Sequence, residues 1–301
     1  MKHSMKVFVI LISMFILTQV IGLLVLSSYS PIETQTTLAN GTIINISSHN
    51  LPFGLELPAD STNSNSFLSF VLAIGIAIVV IFLLMRWKAQ LVIKIWFFFV
   101  VFLAISVTLF SFFKGFVYGS ILALLLSIIL TSLKIFRRGF VFHNLTELLI
   151  YPGVAALLVP LLSPGSAVLL LILISAYDAY AVWHSGFMQK MAMFQIKSVG
   201  IFAGFLVPHF SASKAKNLVK SNKLKKGKLG VAILGGGDVV FPLILAGTIL
   251  YSFSLVGAIG VILGATLGLT TLLIISQRGK FYPAMPFISG GAFLGLLALA
   301  L

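Results

Sequence analysis

Residues 231–245 read VAILGGGDVVFPLIL, an apolar run broken by three consecutive glycines, Gly235, Gly236 and Gly237, and by one acid, Asp238. The run is greasy enough to sit in a bilayer, and the rest of the chain has the same character. Of 301 residues 59% are hydrophobic and 9% charged, and the mean hydropathy is +1.15. That composition is one of an integral membrane protein. Cysteine is absent, which excludes disulfides, thiolate metal sites and a cysteine nucleophile.

Windows of roughly 20 apolar residues, the length that crosses a bilayer core of about 30 Å, fall near 6–27, 66–86, 91–113, 115–133, 144–162, 166–186, 229–251, 255–276 and 284–301. The expected architecture is an all-α polytopic membrane protein with nine transmembrane helices. The first window has a basic start like a signal peptide, but its apolar run is longer than such segments carry and no A-x-A site follows, so a retained helix is expected. The formal charge of +14 would suggest nucleic acid in a soluble protein. Here it follows topology instead. With the N-terminus inside, 19 of the 20 basic residues fall on the cytoplasmic side and only Lys114 lies outside. The C-terminus is then extracytoplasmic, and no nucleic-acid partner is expected. Residues 214–228, KAKNLVKSNKLKKGK, read as part of a cytoplasmic loop (187–228) attracted to anionic lipid headgroups. In the outer loop Asn40 and Asn45 match the glycan acceptor pattern.

Six acids exist. Glu33, Glu56 and Asp60 lie in the outer loop and Glu147 near the cytoplasmic end of the fifth window, leaving Asp178 and Asp238 inside spans. An acid at the bilayer centre costs about 2.5 to 3.5 kcal/mol and generally faces a bundle interior or a wet cavity. Asp178 lies eight residues before Gly186, about 12 Å along a helix, and Asp238 ten residues after Lys228, about 15 Å. Consecutive antiparallel spans thus carry their only acids at similar depth, with no nearby Lys or Arg in sequence to neutralise them.

Two carboxylates in one low-dielectric site do not readily both ionise, so one proton stays with the pair. In that state one acid can take a proton from an attacking water while the other hydrogen-bonds and protonates a peptide carbonyl. The glycines beside Asp238 allow local unwinding or close approach of another backbone, where a substrate strand could lie. By contrast Gly260, Gly264 and Gly268 in GVILGATLG have the spacing of tight helix packing. Pro283 and Pro286 in FYPAMPFISGG disfavour a regular helix start, and a non-helical turn there would need protein or water around it. Nothing clusters His, Glu or Cys as a metal site requires, and no metal or cofactor is expected.

Three motifs in order, Tyr177–Asp178, the G-x-G-D of Gly235 to Asp238, and PAMP from Pro283 to Pro286, resemble those of the presenilin and signal peptide peptidase family of intramembrane aspartyl proteases. The resemblance implies a presenilin-like fold as a single membrane domain, with helices one to five in 1–163 and the catalytic helices in 164–301. It also implies Asp178 and Asp238 as the catalytic pair and a segment from Pro283 through Ala284 to Met285 that shapes the site and engages substrate as an extended strand. Met285 stands where the family usually has Leu. The implied substrates are transmembrane peptides or signal peptides. The N-inside, C-outside orientation is similar to the presenilin branch and opposite to the signal peptide peptidase branch. Tyr177 could hydrogen-bond near the pair or simply pack, and His184 is expected at the interface. A proton- or cation-coupled transporter using the same two acids is the alternative.

Overall fold

The computed structural model describes residues 5–37, 43–48, 65–86, 89–136, 139–185, 203–209, 230–276 and 282–300. Nine helices form among them: α1 (Met5–Ser28), α2 (Asn65–Arg86), α3 (Gln90–Phe113), α4 (Gly119–Phe136), α5 (Phe140–Leu158), α6 (Pro164–Tyr180), α7 (Gly236–Ser252), α8 (Leu255–Ile275) and α9 (Met285–Ala300). A 3-10 turn, Val159–Leu161, extends α5, and a π turn, Ala181–Ser185, extends α6. Six of the nine are long and apolar enough to cross a membrane, namely α1, α3, α4, α5 and α6 with their turns, and α8. Helices α7 and α9 are apolar but shorter.

The polypeptide is not wholly helical. Strands β1 (Ile32–Thr37) and β2 (Ile43–Ser48) pair antiparallel between α1 and α2. Strands β3 (Gly204–His209) and β4 (Gly230–Gly235) pair antiparallel and run straight into α7. The seventh helix therefore starts at Gly236, where a helix from 229 was expected. Residues 230–235 are short, apolar and carry β-branched Val231 and Ile233, and pairing with β3 settles their conformation as extended. The 187–228 stretch is likewise not all polar loop, since Phe205 and Val207 of β3 are buried in the core. Asn40 and most of that basic stretch, including Lys214 to Lys228, lie outside the described residues.

Helix α7 is the most enclosed element: Val239, Val240 and every residue from Pro242 to Ile249 are buried. It packs on α1, α5, α6 and α8. Helix α9 lies against α8 and α6, while α3 bridges α4 and α5 and α2 touches α3. The α8–α9 contact is a backbone approach. A Cβ on Gly264 would strike the Gly291 carbonyl, one on Gly260 the Gly295 carbonyl, and one on Gly268 the Phe287 carbonyl. Small residues at this spacing let two helices meet without side chains between them.

The outward faces are as apolar as the core. Leu68, Leu72 and Ile76 of α2, Leu91, Ile95 and Phe99 of α3, and Ile121, Leu125 and Ile128 of α4 are all exposed. Water would not tolerate so continuous an apolar exterior, whereas lipid does. The protein is an integral, multi-pass membrane protein.

Candidate active site

Helix α6 delivers Asp178 from its last turn, where the regular ladder ends. Ala181 caps the helix by bonding back to the carbonyls of Asp178 and Tyr177, and the backbone then widens into the π turn. Such turns are frequent at functional sites. Asp178 is 7% exposed. Its Oδ2 accepts a 3.0 Å hydrogen bond from the Met285 amide, and the Ala284 amide also bonds to it. The acid of α6 thus satisfies the orphan amides at the start of α9. One turn back along α6, Ser175 Oγ donates to Ser289 Oγ at 2.9 Å, so the same helix pair is held at two levels.

Helix α7 delivers Asp238 from its first turn. Gly235 is the cap residue in extended conformation, and the Asp238 carboxylate bonds back to the Gly235 backbone. This is the reciprocal half of a capping box, with the acid at the third helical position. Asp238 therefore sits at a strand-to-helix junction instead of ten residues deep in a continuous helix. The carboxylate is part-buried, and Asp178 acts on it electrostatically. Among the described residues the ion pairs are those of Glu147 with Lys134 and His143, and none reaches either aspartate.

The three glycines prove to serve side-chain approach. None has positive φ. A Cβ on Gly236 would lie 3.0 Å from both Oη and Cε1 of Tyr151, one on Gly235 would lie 3.0 Å from Asp238 Oδ2, and one on Gly237 would lie 3.2 Å from the Phe241 ring. Pro242, four residues after Asp238, has no amide hydrogen and so leaves the Asp238 carbonyl without its intrahelical donor. The next carbonyl, of Val239, accepts a 2.9 Å bond from Gln19 Nε2 of α1, which pins this turn from the far side.

The proline segment differs from expectation in one respect. Pro286 does not delay the helix: α9 begins at Met285 with Pro286 in its first turn, where a missing amide hydrogen is harmless. Among the described residues of this segment Tyr282 to Ala284 are non-helical, and Pro283 and Met285 are buried. Tyr177 points away, being 58% exposed. The tyrosine near the acids is Tyr151 of α5, 3% exposed and stacked edge-on against Phe205 at 5.5 Å. Its hydroxyl faces the Glu147 carboxylate as a loose hydrogen-bond partner, too long for a well-formed bond, and the Asp238 carboxylate also acts on it electrostatically. An aromatic inside an apolar helix gives no signal in sequence, so the place of Tyr151 is visible only in the fold. Gln19, a lone amide in α1, does stand out in sequence.

Residues 12–301 match the family model described as signal-peptide peptidase, presenilin aspartyl protease. The chain belongs to this family. Its members are intramembrane aspartyl proteases that act on transmembrane substrates. Two crystal structures of a presenilin family intramembrane aspartate protease share the fold. The one in space group C222 has a TM-score of 0.62 at 18% identity, covering 97% of this chain and 98% of the other. The one in P2 has a TM-score of 0.61 at 19% identity, covering 96% of each. Among curated proteins none matches significantly. Among the described residues of this presenilin-family chain, no cluster of three or more His, Asp or Glu side chains could hold a metal ion.

Proposed function

We propose that the protein is an intramembrane aspartyl endopeptidase in which Asp178 and Asp238 hydrolyse peptide bonds of transmembrane segments or signal peptides with one activated water. One carboxylate, ionised, takes the proton of the water as it attacks the carbonyl carbon. The other, protonated, hydrogen-bonds the carbonyl oxygen and passes it a proton, so that no covalent enzyme intermediate forms. What supports this reading is the electrostatic coupling of two aspartates carried by the packed helices α6 and α7, with no ion-pair partner for either among the described residues.

Two further features support it. Strand β4 leads directly to Asp238, and among the described residues no strand pairs with its outer edge. An unwound substrate segment can add there as a third strand, its backbone satisfied within the protein as the membrane interior demands. The irregular Tyr282–Ala284 segment, tied to Asp178 through the Ala284 and Met285 amides, borders the same acids and can guide the extended substrate. In this reading Gly235, Gly236 and Gly237 keep the approach narrow, Tyr177 faces lipid or a substrate helix, and the membrane is crossed nine times with the N-terminus cytoplasmic. The basic loop then lies against anionic headgroups.

Purified protein in liposomes should cut a single-span peptide and should carry no proton or cation current. Current without cleavage would favour a transporter and overturn the reading. Because the chain lacks cysteine, single replacements report its orientation. Ser61→Cys should react with an impermeant maleimide from outside and Ser221→Cys only after permeabilisation, and the reverse pattern would contradict the assigned topology.

A further inference from the structure

The outer edge of β3 is closed by side chains where a sheet would have another strand. Alternate residues of a strand direct their backbone groups to opposite sides. In β3 Gly204 and Leu206 direct theirs away from β4, toward α5, and every one of these groups meets a side chain. The Gly204 carbonyl accepts from His143 Nε2 at 2.8 Å, and the Gly204 amide donates to Glu147 Oε1 at 3.5 Å. The Leu206 carbonyl accepts from Asn144 Nδ2 at 2.9 Å, and the Leu206 amide donates to Asn144 Oδ1 at 3.0 Å. The third position on this edge is Pro208, which has no amide hydrogen to satisfy.

Asn144 therefore pairs with Leu206 through two antiparallel bonds, as a peptide group in a neighbouring strand would. Glu147 is itself fixed by an ion pair with Lys134 of α4, both side chains being fully enclosed. Gly204 adopts φ 149°, a conformation that side-chain-bearing residues rarely reach, which lets the chain turn into this edge between His143 and Glu147. A two-stranded ribbon is marginal by itself, and here α5 closes its β3 edge while α1 and α7 also pack against β3. Among the described residues no strand pairs with the ribbon's other edge, on β4, which leads into Asp238.

We propose that His143, Asn144 and Glu147 are positioning residues that set which peptide bond is cut. By occupying the β3 edge they confine substrate pairing to β4, and by pinning Leu206 they fix the ribbon, through the Leu206–Ile233 and Gly204–Gly235 pairs, in register with Asp238. The inference rests on the proteolytic reading and on substrate pairing with β4. Loosening the Asn144 contact lets the ribbon or the substrate slip. A slip that keeps the same side chains on the same face moves by two residues.

The test uses the full chain in liposomes with a single-span peptide, the products being identified by mass spectrometry. Asn144→Leu removes both bonds at similar volume, and Asn144→Asp keeps the acceptor for the Leu206 amide while losing the donor, serving if the first does not fold. Val141→Ala, on the exposed side of α5, is the control. The expected result for the Asn144 variants is a rise in KM of about fivefold or more with kcat changed less than about twofold, and new products displaced by two residues from the wild-type bond. The control should cut as wild type does. Folded Asn144 variants that cut only at the wild-type bond with unchanged KM would overturn this inference and leave the proteolytic reading standing. Wild-type protein that leaves the peptide intact would overturn both.

Discussion

Asp178 Oδ2 accepts a 3.0 Å hydrogen bond from the amide of Met285, so one acid of the pair is also the cap of α9. Catalytic candidate and helix terminus share one carboxylate, and the proline segment is tied to the acid itself. Asp178→Asn retains an oxygen for the two amides and should keep the stability of the parent within about 0.5 kcal/mol. Asp178→Ala leaves the amides without an acceptor and should lose about 0.5 to 2 kcal/mol. Thermal melting with amide exchange at Met285 separates the variants, and equal exchange in both would contradict the capping role.

At the second acid, the middle glycine of the run is explained by one aromatic neighbour. Gly236→Ala places a methyl group 3.0 Å from the Tyr151 ring and hydroxyl and should destabilise the protein by about 1 to 3 kcal/mol. Combining it with Tyr151→Ala removes the obstacle, so the double variant should be less destabilised than the sum of the single changes by about 1 kcal/mol or more. Strict additivity in a denaturation series would show that the two residues do not meet.

The α8–α9 interface makes a sharper pair of outcomes. Gly264→Ala drives a Cβ into the Gly291 carbonyl and should cost at least about 1 to 3 kcal/mol, because backbone cannot rotate aside. Gly290→Ala, only one residue from that contact, meets nothing within 4 Å and should stabilise the helix by about 0.5 to 1 kcal/mol. Unfolding midpoints that fail to move in opposite directions would contradict the packing described here.

These contrasts show why parts of the molecule were legible in sequence and others were not. An acid in a greasy span has no cheap alternative to an interior position, so Asp178 and Asp238 stood out, and the spacing of Gly260, Gly264 and Gly268 correctly marked a helix contact. Helices α1, α2, α3 and α8 begin and end within one residue of their apolar windows. Strand β4 was hidden because its four apolar residues, Val231 to Leu234 between two glycines, have no periodicity that separates a strand from the first turns of a helix. Only its pairing with β3, itself embedded in a basic stretch, decides the matter. Position along a helix also does not reveal direction at its frayed end. Tyr177, adjacent to Asp178, turns outward, while Tyr151 reaches the site from a helix 27 residues earlier in the chain.

The central claim is that Asp178 and Asp238 together activate one water, and the most direct measurement is cleavage of a single-span peptide by Asp178→Asn and Asp238→Asn proteins in liposomes. Each change keeps size and shape but removes the acid–base function of the carboxyl group. Both variants should elute and melt like the parent and should lose cleavage by at least about a hundredfold. Cleavage at the parental rate by either folded variant would contradict the account.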